Sequence, residues 1–123
     1  MSHQEITKHK EERENFDNFF SKFRSDSSFR LSRTKFPLDG YNSDEKEIDS
    51  RDTLYVWSKE DFNFYAEEDF KKQISINIKE HITKSDSLVF YRRYIEDSGY
   101  NINYKFNIIS GNWYLVCYSY KNY

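Results

Sequence analysis

With 123 residues and a formal net charge of −2, the chain is long enough for one hydrophobic core and has no overall field to draw it to nucleic acid or an anionic membrane. Its 11 Phe, 11 Tyr and 2 Trp supply enough ring surface to argue for a folded domain despite 33% charged residues. A single cysteine, Cys117, excludes an internal disulfide and a cysteine-built metal site.

The polar stretch 1–10 reads as a flexible leader, and 11–123 as a single domain. The segment Glu11 to Arg24 places Phe16, Phe19, Phe20 and Phe23 at i, i+3, i+4 and i+7, which predicts a helix with four rings on one face. Early acids (Glu11, Glu12, Glu14) and late bases (Lys22, Arg24) match the helix dipole. Ser25-Asp26-Ser27-Ser28 breaks that helix and caps a short second one through Phe29 and Leu31. Arg33 to Leu38 reads as a strand, with Pro37 implying a strand end or sheet edge. Asp39 to Asp52 is polar and turn-rich, a long loop. Thr53 to Trp57 is extended, and Ser58 to Asp61 resembles an N-cap opening a brief helix toward Phe64.

Between Phe70 and Ile82 the isoleucines fit both a strand and a helix face, and their β-branching favours a strand. Leu88 to Glu96 is apolar or aromatic on both faces. Asp97-Ser98-Gly99 is a hairpin turn, after which Tyr100, Ile102, Tyr104, Phe106 and Ile108 alternate with Asn101, Asn103, Lys105 and Asn107. Ser110-Gly111-Asn112 turns again into a last strand, Trp113 to Tyr120, where Cys117 reads as a small buried hydrophobe. Three antiparallel strands therefore form a meander. The order of elements predicts an α+β domain, N-terminal helices packed on a strongly curved antiparallel sheet. No apolar run reaches membrane-spanning length, and Met-Ser-His-Gln-Glu lacks the apolar core of a signal peptide.

Phe16-Asp17-Asn18-Phe19-Phe20-Ser21-Lys22-Phe23, Ser25-Asp26-Ser27-Ser28-Phe29, Arg33 and Phe36-Pro37-Leu38 together resemble an uncharacterised bacterial domain family of the nuclear-transport-factor-like, cystatin-like cone superfamily. Tyr104-Lys105-Phe106-Asn107 through Gly111-Asn112-Trp113-Tyr114-Leu115 is similar to that superfamily's closing hairpin. Phe62 stands where the family commonly has Trp, and Arg30 where it has Gln. The resemblance implies helices on the concave side of a bent sheet with a cavity between them, and a homodimer through the sheet. It also implies export to the cell envelope or periplasm if a signal has been removed; a complete chain is expected to be cytoplasmic. It supplies no activity.

Arg33 with Asp26 is the polar pair that stands out. Its forked donors suit a ligand's carboxylate or phosphate, and equally a structural bridge between strand and short helix. Tyr55, Trp57, Tyr91 and Tyr104, with Trp113, are expected either to line a pocket for a small molecule or peptide or to serve as ordinary core. Trp57, Arg33 and these tyrosines are the candidate ligand-binding residues. An isomerase- or dehydratase-like site would need a buried base; His81, Asp26 and Asp86 are the candidates. Neither a phosphate loop, a nucleophile triad nor a zinc motif is present, so no cofactor or metal is expected. The reading is a non-catalytic binding or interaction domain without a nucleic-acid partner.

Overall fold

The computed structural model describes residues 13–43, 55–62 and 78–122. The leader 1–10, Glu11 and Glu12, the loop from Asp44, and the stretch from Phe64 through Ile76 lie outside them.

Helix α1, Phe16–Ser25, carries the phenylalanine stripe, and all four rings are buried. It begins later than the sequence pattern predicts. Asn15 is the N-cap, its side chain accepting from the Asn18 N–H at 2.9 Å, so Glu14 lies before the helix and Asp17 is the acid of the first turn. Helix α2, Ser27–Ser32, follows after one residue. Asp26 caps it by accepting from the Phe29 N–H at 3.1 Å. Arg30, 3% exposed, donates to the carbonyls of Phe23 and Arg24, satisfying orphan acceptors at the end of α1.

Six strands follow: β1 Thr34–Asn42, β2 Tyr55–Trp57, β3 Lys79–Lys84, β4 Leu88–Tyr94, β5 Tyr100–Ile109 and β6 Asn112–Asn122. They form one sheet in the order β2-β1-β6-β5-β4-β3. The predicted meander is there as β4, β5 and β6, extended by β3 at one edge. The first strand runs on to Asn42, so Asp39 to Asn42 are strand where the sequence pattern gave loop. Strand β1 pairs with β6 in parallel, the other pairings being antiparallel. Pro37 sits inside β1, where the register with β6 shifts between Thr34 and Asp39. A residue without an N–H is tolerated at such an irregularity. The predicted strand end is therefore a break in the ladder instead.

A second shift falls between Lys105 and Phe106, which face Cys117 and Leu115 and leave Val116 as the extra residue. Bulges of this kind bend the strand and increase its twist. The β5–β6 connection is a two-residue turn, Ser110 and Gly111, both at positive φ (52° and 87°), which suits the twist of a tight hairpin.

The stripe packs on the inner face of this sheet. Phe106, fully buried, is the common neighbour: the rings of Phe16, Phe19, Phe20 and Phe23 lie 5.4–5.7 Å from it, all at steep angles. Such edge-to-face packing suits the ring quadrupoles. Burying each ring contributes roughly 1.5–3 kcal/mol.

Candidate functional site

Strand alternation sends Tyr91 from β4 and Tyr104 from β5 to the inner face, and the Val116 bulge resets the parity of β6 so that Tyr118 joins them. Trp57 reaches them from β2, across β1. It can do so because Gly40 lies between: a Cβ there would sit 1.6 Å from the Tyr118 carbonyl oxygen and 3.0 Å from the Trp57 indole nitrogen. The indole N–H donates to that same carbonyl at 2.9 Å. The result is a ribbon of five rings crossing the sheet. Successive centroids are 5.5 Å apart for Tyr91–Tyr104, 5.1 Å for Tyr104–Tyr118, 4.9 Å for Tyr118–Trp57 and 4.8 Å for Trp57–Tyr55. Tyr55 ends it at the sheet edge, its hydroxyl donating to the Asp61 carboxylate at 3.1 Å.

The sequence pattern offers four of these five, Tyr55, Trp57, Tyr91 and Tyr104, and the fold sets them along one ribbon with Tyr118, while Trp113 lies apart against Phe16. The pattern misses the charged group beside the ribbon. Arg93 follows Val89 and Tyr91 on the inward parity of β4 and is 2% exposed. That parity was the available signal. Its Nε lies 3.9 Å from a carboxylate oxygen of Glu80, which Arg24 of α1 approaches to 3.7 Å. Arg24 also lies over the rings of Phe20 and Tyr91. Burial, with the Glu80 carboxylate beside it, pushes the Tyr91 hydroxyl pKa well up against the opposing charge of Arg93.

Arg33 is placed elsewhere. It pairs with Glu14 and not with Asp26: its two terminal nitrogens meet the two carboxylate oxygens at 2.6 and 3.0 Å, and one also donates to the Trp113 carbonyl at 3.0 Å. Glu14 in turn accepts from the Trp113 N–H at 2.8 Å, and its own carbonyl accepts from the Trp113 indole at 2.9 Å. Its N–H donates to the Gly111 carbonyl. This closed set fastens the entry of α1 to the β5–β6 turn. Burial raises the Glu14 pKa, but the hydrogen bonds from Arg33 and Trp113 and the Arg33 charge outweigh it and hold the carboxyl below its ordinary range. The guanidinium also stacks 4.7 Å above the Phe29 ring.

Asp26, His81 and Asp86 are all exposed. His81 lies on the outer face of β3 opposite Arg92, and Asp86 receives Arg13 on its carbonyl. Cys117 is half-buried on the outer side of β6 and not in the core; burial raises its thiol pKa. Among the described residues no cluster of His, Cys, Asp and Glu could hold a metal ion. None of their helices is long and apolar enough to cross a membrane.

Two short helices packed by their rings on the inner face of a bent six-stranded sheet define the class of an NTF2-like α+β cone. The chain belongs to the family whose model matches residues 14–123, and solved structures of the same NTF2-like architecture come from Bacteroides. An NTF2-like protein from Bacteroides fragilis is similar over 90% of this chain with a TM-score of 0.56 and 15% identity. This chain spans about half of that one, 48%. A protein from Bacteroides uniformis is similar over 89% of this chain and 77% of its own, with a TM-score of 0.58 and 23% identity. Identities this low carry the fold alone. No curated protein matches the chain.

Proposed function

We propose that the domain is a non-catalytic binding module whose inner sheet face takes a flat organic carboxylate. Tyr55, Trp57, Tyr91 and Tyr104 form its aromatic wall, and Arg93 takes the anion-binding part that the sequence pattern gives to Arg33. The observation that carries this reading is that one guanidinium and two tyrosines, Arg93, Tyr91 and Tyr104, share the inward parity of the paired strands β4 and β5; each is at most 3% exposed, so a ligand enters by displacing what covers them. Aromatic walls with a few polar groups are the usual make-up of small-molecule sites, and a planar guanidinium fits a carboxylate with two parallel hydrogen bonds. Arg33 is held by Glu14 in a bidentate bridge at 2.6 and 3.0 Å, whereas the Glu80 carboxylate stands 3.9 Å from the Arg93 Nε. The acid–base candidates of an isomerase-like reading, Asp26, His81 and Asp86, lie at the surface, where nothing desolvates them.

Titration with benzoate and with neutral benzyl alcohol, followed by tyrosine and indole NMR signals, tests this. Benzoate is expected to bind more tightly, with Tyr91, Tyr104 and Trp57 perturbed first. The preference for the anion should shrink in Arg93→Gln, while Tyr104→Phe keeps the wall and loses one hydroxyl. Equal response to both probes, or none at millimolar concentration in a folded wild-type protein, sinks the reading.

A further inference from the structure

The outer face of the same sheet carries a different chemistry. Alternation places Arg92 of β4, Lys105 of β5, Lys121 of β6 and Lys35 of β1 there, with Asp39 as the one carboxylate on the outer face of the described strands. The chain as a whole has a net charge of −2, so this face is cationic against an acidic background. Four of its cations lie over rings, Arg92 on Tyr94 at 4.1 Å, Lys35 on Tyr114 at 4.3 Å, Lys121 on Tyr41 at 5.4 Å and Lys105 on Phe90 at 5.9 Å; Lys79 of β3 pairs with Glu96 at 3.1 Å. A cation held against a ring is positioned before a partner arrives. In the middle lies a depression of about 270 Å³ lined by Phe90, Asn103, Tyr104, Lys105, Cys117 and Ser119. Phe90 stands at its rim, 49% exposed.

We infer that this outer face docks an acidic protein segment, seating one apolar side chain in the depression and setting flanking carboxylates on Arg92, Lys105 and Lys121. The volume suits one large side chain, and a pocketed apolar anchor ringed by charge is the usual anatomy of an interface hot spot. Single-stranded nucleic acid is less well matched, because stacking platforms offer bare ring faces and here cations lie over the rings. A second copy meeting the sheet face to face would set like charges opposite one another, which opposes association.

The test uses the full chain and a fluorescein-labelled peptide with one Leu among Glu and Asp residues, read by anisotropy at low salt. Binding is expected, weakened by salt and reduced about tenfold or more by the double variant Arg92→Glu/Lys105→Glu. Lys59→Glu, a single charge reversal of the same kind in the turn after β2, should leave it unaltered. Replacing the peptide's Leu by Ser should weaken binding to the wild type and have little effect in Phe90→Ser. Absence of binding by a wild-type protein of normal circular dichroism overturns the proposal, as does equal binding by the double variant. So does tighter binding of oligo-dT or of phosphatidylserine vesicles than of the peptide. A wild-type dimer in sedimentation that Lys105→Glu converts to monomer would give the face to a second copy and end the proposal too.

Discussion

On the inner face of β4, β5 and β6, side chains meet ring to ring, whereas on the outer face of the same strands each cation lies over a ring of its own. The inner face closes around Phe106, with α1 covering one part and the Tyr91 to Tyr55 ribbon running across the sheet. Arg93, the one charged side chain that β4, β5 and β6 bury there among the described residues, has the Glu80 carboxylate at 3.9 Å and shares the inward parity of β4 with Tyr91. The outer face keeps its cations half-buried or exposed on Tyr94, Tyr114, Tyr41 and Phe90. The contrast teaches that strand parity, more than residue type, decides what an aromatic does here. An inward tyrosine is a structural member with a polar tip, and an outward one is a seat for a charge.

The largest effect should come from breaking the inner face at its centre. Phe106→Ala removes the ring that touches all four phenylalanines of α1 and is expected to cost about 3–5 kcal/mol, measured as a shift in the urea midpoint. A loss below about 1 kcal/mol would mean that the stripe is held by something other than this contact. Next comes the fastening of α1. Glu14→Gln removes the charge from a bidentate, part-buried pair and should cost about 2 kcal/mol near neutral pH. The sign of the pH dependence follows from the depressed pKa of Glu14. A carboxyl held below its unfolded value stabilises the fold fully above the ordinary carboxylate pKa of about 4.3, and that stabilisation is lost as pH falls through the folded-state value. The gap between wild type and Glu14→Gln should therefore narrow on acidification. A constant gap from neutral to acid would show that the carboxylate charge is not what Arg33 holds.

Much of the inner face was legible because it obeys one period at a time. The i, i+3, i+4, i+7 stripe of α1 and the alternation of Tyr100 to Phe106 each announce a buried face, and both are buried. Arg93 reads from the sequence, with Arg92, as a basic spot on a solvated face, because hydrophobicity and parity disagree at that position; the tertiary fold sides with parity and buries it. The Glu14–Arg33 bridge joins residues 19 apart in sequence through an irregular entry segment, and no period encodes that. The meeting of Trp57 with Tyr118 needs the parallel pairing of β1 with β6 and the gap at Gly40, both settled by long-range register. The Val116 bulge is likewise invisible to a strict alternation, yet it decides which side Cys117 faces.

Lys105 and Phe106 are neighbours in sequence on opposite faces, and they give the sharpest form of the comparison. Lys105 lies 5.9 Å from the Phe90 ring at the rim of an open depression. Its ammonium remains partly hydrated, and a cation–π contact of this length at a partly exposed site contributes no more than about 0.5 kcal/mol. Lys105→Ala should therefore shift the urea midpoint by that little, against the several kcal/mol expected one residue further on. The methylene stem can also cover apolar surface around Phe90 and Cys117, so a double-mutant cycle with Phe90→Ala separates stem from charge. A coupling above about 1 kcal/mol would make Lys105 part of the structure and withdraw it from the docking face. A coupling of about 0.5 kcal/mol, enough to orient the ammonium without neutralising it, leaves its charge available to a partner, as the outer-face reading requires.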